Sequence, residues 1–465
     1  MQESKDLSLK EIELNYDTQT ILMDGDSVWP IIRFKINEEL RNKRGLNSRT
    51  VKLNIRLVFT LIRTLFYGFK EVTRFRNYEF WVFSSSDRRR KIYDKYVDRV
   101  MEPILNEYPN AVEIENPHPL GHHYSKKELN NKNIISQTIF FLGVKIIGLF
   151  LNRKVELENE SELNKILKDI GVTLNYRALL LNHKSQYLFM RFLLRFAKPK
   201  AVFFVYAASS MGFIKALKEM NVPVVELQHG VINELHYAYN VYKDFGYKFF
   251  PDFLLTYGKM ETKIFTTNNY FIDSNRVLPI GYYFLEEFIL SNVANQNAKK
   301  LKNEFDKIIV FSLQDPFEKH IFDFLSRAAP LDTSILYLLV PRNPMKTYGE
   351  YELPNNIRIE RRNNIYECLK IADFHMTINS TCAIESICFG VPNILYDYNN
   401  WASKYYNNIL NDTGHTIFVN SPKDLLNSVR KHVFYVKEKI EKESSNFIKK
   451  GFTENLKNAI ESKIL

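Results

Sequence analysis

The sequence predicts an α/β protein built from two parallel-sheet domains. Short apolar runs of strand length alternate with helical stretches through both halves of the chain. At 465 residues, the chain exceeds what a single hydrophobic core usually organises. Polar clusters recur where the apolar runs stop, at 84–90, 228–230, 314–315, 342–344 and 380–381. An open parallel sheet presents ligand-binding positions at those carboxyl ends of its strands.

The first strand is expected over 78–84, running into Ser85-Ser86-Asp87-Arg88-Arg89-Arg90, a polar loop that opens a helix. A second covers 201–206 and passes through Ala207-Ala208-Ser209-Ser210 into a helix reaching Met220. The third, 222–227, stops at Gln228-His229-Gly230. Strands at 253–256 and 276–280 complete a first domain, 1–290, and the polar stretch 291–304 serves as linker. The second domain, 305–425, opens with strands at 307–312, 335–340 and 357–359. A helix at 364–371 leads into the strand-like run 371–378, and Asn379-Ser380-Thr381 begins a helix containing Glu385. Ser and Thr hydroxyls there can cap backbone amides. Gly390-Val391-Pro392 ends that helix before a strand at 393–396, and a charged helical segment, 426–465, closes the chain.

Composition narrows the function. Hydrophobic residues make up 45% and aromatics 14%, enough for large folded cores and unlike a disordered chain. Cys368, Cys382 and Cys388 have no metal-like spacing, and the start of the sequence carries no secretory leader, so a reducing cytoplasm is the expected compartment. The net charge of +11 favours an acidic substrate, an anionic membrane or nucleic acid. No nucleic-acid motif accompanies the charge, so nucleic acid is not an expected partner. Basic residues concentrate between Arg41 and Arg76, where Leu57, Val58, Leu61, Ile62, Leu65 and Phe66 recur at helical spacing. Such a helix fits an anionic membrane surface or packing onto the core. Residues 134–151 are apolar but carry Lys145 near the centre. A central Lys costs about 2.5–3.5 kcal/mol on insertion scales, so a buried or monotopic segment is expected rather than a span.

Four strand ends carry the chemistry. A His at a strand end followed by Gly, as in His229-Gly230, can serve as a general base or bond a phosphate, or can simply bond loop carbonyls. Glu226 lies three residues before it. The turn Asn379-Ser380-Thr381 offers free amides and the positive end of a helix to a phosphate, and Glu385, one turn on, can reach a ribose diol. Gln314 and Arg342 follow the first two strands of the second domain, and an Arg there can pair with a diphosphate.

Across roughly 201–397, the ordered set Val222-Pro223-Val224-Val225-Glu226-Leu227-Gln228-His229-Gly230, Tyr257-Gly258, Pro279-Ile280-Gly281, Ser312-Leu313-Gln314-Asp315, Asn379-Ser380-Thr381 to Glu385, and Gly390-Val391-Pro392 resembles the GT-B glycosyltransferases of bacterial surface polysaccharide (capsule and lipopolysaccharide) biosynthesis. The resemblance implies two Rossmann-like domains facing a cleft, with a nucleotide-sugar donor on the second. Donor contacts would come from Gln314, Arg342, Asn379, Ser380, Thr381 and Glu385. A glycan or lipid-linked glycan acceptor would lie near Gln228, Gly230 and Ser209. The base would be His229, then Glu226, then Asp87. No cofactor and no essential metal are expected; the one Asp-x-Asp, at Asp24 and Asp26, lies outside the matched region. Related CMP-sugar enzymes often carry His-Pro where this chain reads Arg342-Asn343-Pro344, which argues against a CMP donor. The alternatives are a sugar-nucleotide 2-epimerase, which shares the architecture, and a non-catalytic scaffold in polysaccharide assembly. The expected location is cytoplasmic, peripheral at the inner membrane face.

Overall fold

The computed structural model describes residues 7–43, 62–92, 94–118, 121–151, 155–266, 268–291, 297–343, 345–349, 351–411, 414–431 and 434–465. Two all-parallel sheets organise them. The first has strands β1 (Phe80–Ser85), β2 (Ala111–Asn116), β3 (Ile134–Ser136), β4 (Ala201–Phe204), β5 (Val224–Leu227), β6 (Phe253–Thr256) and β7 (Val277–Pro279). They lie in the order β7-β6-β5-β4-β1-β2-β3. The second has β8 (Lys307–Ser312), β9 (Ile335–Val340), β10 (Ile357–Ile359), β11 (Phe374–Thr377), β12 (Asn393–Tyr396) and β13 (Thr416–Val419), ordered β10-β9-β8-β11-β12-β13. Both are doubly wound, and in each the order reverses beside its first strand, between β1 and β4 and between β8 and β11. Strands buried on both faces read as continuous apolar runs, which is why 307–312 and 335–340 are plain in the sequence.

Three strands are not. In β2, Glu113 and Glu115 interrupt the apolar pattern, yet both are fully buried against Arg89. Strand β3 is three residues long and joins the helix Thr138–Phe150 through Gln137, so one apolar stretch hides a strand and a helix. Strand β13 is a short edge. The expected linker contains the helix Ala298–Glu304, whose Leu301 is buried. Leu57, Val58 and Leu61 of the expected basic helix lie outside the described residues.

Outside the matched region, the helices Leu9–Asn15 and Trp29–Lys43 pack onto the first sheet through Ile12, Ile32 and Ile36. Fully buried Arg33 gives Nε to Glu13 at 2.6 Å and its two terminal nitrogens to the Tyr237 and Asn240 carbonyls.

The C-terminal segment returns to the first domain. Phe447 and Ile448 pack in a core containing Tyr257, Tyr282 and second-domain residues such as Ile384. The helix Phe452–Ala459 then docks on the first sheet with Phe80, Val82 and Leu255. Close backbone approach makes this crossing possible. A Cβ on Gly258 would stand 2.1 Å from the Phe447 carbonyl oxygen, and one on Gly281, at φ +103°, would stand 2.3 Å from that of Lys449. Only glycine fits either place.

Candidate functional site

Both reversal points open toward the same interdomain region, and the strand ends there carry the polar clusters. On the first domain, β1 runs into the turn Ser86–Arg88, and β4 into Ala207–Ser210. On the second, β8 leads to Gln314 and β11 to Asn379. The Gln314 side-chain oxygen accepts from Thr377 Oγ1 at 3.3 Å and from the Asn379 amide at 3.0 Å. Gln314 thus ties the two strand ends together across the reversal point and fixes the turn expected to hold phosphate.

The loop after β5 bridges the domains. A Cβ on Gly230 would lie 4.0 Å from Thr381 Oγ1. Asn233 donates to the Tyr405 carbonyl at 2.7 Å, and Asn408 donates to Glu234 at 2.9 Å. His229 is thereby held where the first domain meets the 379–381 turn. Its ring stands edge-on to Tyr206, with centroids 5.8 Å apart, and its Nδ1 is buried without a hydrogen-bond partner. Burial first, then the positive charge of Arg88, pushes its pKa well below the usual imidazole range. His229 is therefore neutral at pH 7, the state a general base needs.

The other candidates on that strand face elsewhere. Expected as an alternative base, Glu226 instead takes a 2.8 Å hydrogen bond from Tyr239 inside the first domain's core. The flanking apolar pocket includes Ala207, Met211 and Phe250. Strand alternation accounts for this: Glu226 points into the domain while the cleft begins three residues later. Gln228, expected on the acceptor side, is buried and saturated. It donates to the Gly230 carbonyl at 2.8 Å and to Glu261 at 2.9 Å, and accepts from the Tyr257 amide at 2.6 Å. Its role is to shape the loop that carries His229.

Burial raises the Glu226 carboxyl from 4.5 to about 8, and Glu261 to about 7. Because folding raises these pKa values, the stability they contribute is complete below the unfolded carboxylate range and is lost as pH climbs through those folded values. Melting temperature should therefore fall between about pH 4.5 and about pH 8, and Glu226→Gln should flatten that decline. A scan of thermal denaturation against pH checks this; an equally steep decline in the variant would remove Glu226 as a source.

On the second domain, the helix Cys382–Ile387 has only six residues. Both hydroxyls were expected to cap it; Ser380 Oγ accepts from the Cys382 amide at 3.3 Å, while Thr381 makes no side-chain cap. The Ser380 carbonyl is fixed by Tyr406 at 2.6 Å. Glu385, expected to reach a ribose, is buried in the interdomain packing. Burial raises its pKa, with Arg99, Cys382 and Tyr366 opposing the rise. Arg342 is exposed on the loop after β9. Asp87 and Ser209 are exposed at the ends of β1 and β4. Asp26 is bound by Lys215 at 2.5 Å and Lys248 at 2.6 Å. Among the described residues, no group of three or more His, Cys, Asp or Glu side chains has metal-binding geometry.

Sequence reasoning missed two cations. Arg88 follows the singled-out Asp87 and lies close enough to His229 and Tyr257 to act on both electrostatically. Arg99 follows a two-stranded hairpin, Arg89–Ile92 with Lys95–Asp98. It lines a cavity with Gln228, Tyr257, Gly281 and Tyr282, its Nε is buried without a partner, and it faces Glu385 of the other domain. Polar neighbours marked Arg88; nothing local marked Arg99, whose position comes from the hairpin.

No protein-family model matches this chain, and no curated protein matches it. Solved structures do. The calicheamicin glycosyltransferase CalG4 aligns at 12% identity over 83% of this chain and 98% of its own, with a TM-score of 0.50. The wall teichoic acid polymerase TagF aligns at 14% identity over 89% and 99%, with a TM-score of 0.45. UDP-GlcNAc 2-epimerase from Neisseria meningitidis, bound to UDP-GlcNAc, aligns at 10% identity over 82% and 98%, with a TM-score of 0.45. The fold is GT-B: two Rossmann-like parallel-sheet domains facing one another, as the sequence predicts.

Proposed function

We propose that this chain is a glycosyltransferase that moves a sugar from a nucleotide-sugar donor to a hydroxyl of a growing bacterial surface glycan, at the cytoplasmic face of the membrane. A fold of this kind hosts several chemistries, so the reading rests on the site. The observation that carries it is His229, kept neutral on a loop that closes onto Thr381. The acceptor hydroxyl attacks the anomeric carbon; the new C–O bond forms as the bond to the diphosphate oxygen breaks, and the hydroxyl proton passes to His229. Arg342, Ser380, Thr381 and the amides of their turn offset the charge left on the nucleotide, with Arg88 and Arg99 adding positive potential from the first domain. Gln314 and Asn379 hold that turn in shape.

Purified protein is to be incubated with a panel of nucleotide sugars and a lipid-linked glycan acceptor, following nucleotide release and product mass. Acceptor-dependent release, undiminished by EDTA, is expected. Conversion of the donor without acceptor would make the chain an isomerase, and no donor turnover at all would leave the scaffold role.

A further inference from the structure

We infer that the face built from residues 62–76, the helix Thr138–Phe150 and the end of the helix Tyr176–Leu193 docks onto an anionic lipid bilayer. The helix Thr138–Phe150 has two unlike sides. Phe140 and Val144 are buried, and the close approach of Gly143 to Phe189 and of Gly148 to Ser185 seats that side on the neighbouring helix. The opposite side exposes Phe141, Leu142, Ile146, Leu149 and Phe150, the last two 73% and 85% exposed. That spacing is one helical stripe, and it is far more apolar surface than a helix facing water keeps.

The stripe is continuous with its neighbours. Thr64 and Thr138 share a 2.9 Å hydrogen bond, and the Ser136 amide donates to the Tyr67 carbonyl, so exposed Phe66 and Phe69 sit beside the start of the helix. The two helices run antiparallel, because Gly143 meets Phe189 and Gly148 meets Ser185. Phe192 and Phe196, edge-on at 5.1 Å and both exposed, therefore extend the patch at the same end.

Charge selects the occupant. Arg63, Lys70, Arg74, Arg76, Lys145, Arg195 and Lys198 are exposed in or beside these segments. The three segments hold one acid, Glu71, which is buried and takes a hydrogen bond from Tyr78, and Glu79 beside them pairs with Lys200 at the surface. A second copy of this chain would bring cations against cations. An anionic bilayer satisfies both features, taking the apolar stripe into its acyl boundary while the cations meet its phosphates. Lys145 reaches the headgroups by extending its chain. The helix lies in the interface and does not cross it: among the described residues no helix is long and apolar enough to span a membrane. This surface stands independently of the reaction assigned to the cleft.

The test uses the full chain and sedimentation with vesicles of phosphatidylglycerol and phosphatidylcholine in equal parts, against phosphatidylcholine alone. Binding to the anionic vesicles is expected, weakening with salt. Leu149→Asp with Phe150→Asp should reduce it about tenfold or more, and Lys145→Glu about fivefold or more, with melting temperature unchanged in each. Phe150→Trp should show a blue-shifted emission only with anionic vesicles, against a background from the fully buried Trp29 and Trp81 and the partly buried Trp401 that is recorded with the parent protein. Equal binding by the paired Asp variant, or an emission from the Phe150→Trp variant that the anionic vesicles leave unshifted, overturns the inference. So does a concentration-dependent dimer that the Asp pair abolishes without any vesicle binding, an outcome that gives the face to a second copy.

Discussion

His229→Ala lowers turnover by about 10²–10⁴-fold, the usual worth of a positioned general base, while nucleotide affinity stays close to that of the parent. The separation follows from position. His229 sits on the first-domain loop, whereas Gln314 and the 379–381 turn belong to the second domain. Glu226→Gln, altering a carboxyl enclosed beside Tyr239, should change turnover far less than His229→Ala. The pH profile supplies an independent reading. Burial holds the imidazole neutral well below its ordinary 6.5, so the acid limb of kcat/KM should lie below that value and vanish in the alanine variant. An acid limb unchanged in His229→Ala would move the base elsewhere, with Asp87 the next candidate.

Arg89→Met should destabilise the protein by about 3–5 kcal/mol, the cost of leaving buried charges without their partner. Arg89 is 1% exposed and spans two strand-borne carboxylates that are fully buried, Glu113 at 2.6 Å and Glu115 at 2.5 Å. Ser84 donates to Glu113 at 2.6 Å and Ser86 to Glu115 at 2.5 Å. His123 lies 2.6 Å from Glu115 and stacks on Tyr67. Burial would raise the Glu115 pKa, but the hydrogen bond with His123 and the charge of Arg89 outweigh it and pull it down; burial pushes Glu113 up. Since the network holds the turn that carries Asp87 and Arg88, Arg89→Met should also reduce activity. Urea denaturation measures the first effect, and Glu115→Gln added to Arg89→Met should recover part of it, because the two residues share one network. A loss under about 1 kcal/mol would mean that the carboxylates find other partners.

Much of this architecture was legible in the sequence because parallel strands enclosed on both faces leave uninterrupted apolar runs. Strands β1, β4, β5, β8 and β9 were readable for that reason, and the polar residues at their ends marked the cleft edge. Strand β2 was not, because a buried ion network put Glu113 and Glu115 where the pattern calls for apolar residues. Nor could the sequence distinguish a strand-end polar residue that faces the cleft from one that braces it. Gln228 and Gln314 look alike in sequence, and each spends its side-chain oxygen on a neighbouring strand's backbone amide. Glu226 and Glu385 are hidden by the packing of separate chain segments, which no local pattern reports. Arg99 reaches the cleft through a hairpin whose direction only the folded chain defines.

A thermal-shift panel of UDP, GDP, dTDP, CDP and CMP tests the proposed binding of a nucleotide at the second-domain turn. Selective binding to the native state at about 100 times Kd adds about 2.7 kcal/mol of stability. One nucleoside diphosphate should raise the melting temperature, with the rise lost in Arg342→Ala paired with Ser380→Ala and retained in His229→Ala. A flat response across the panel, or a rise that the Arg342 and Ser380 pair leaves intact, would contradict it.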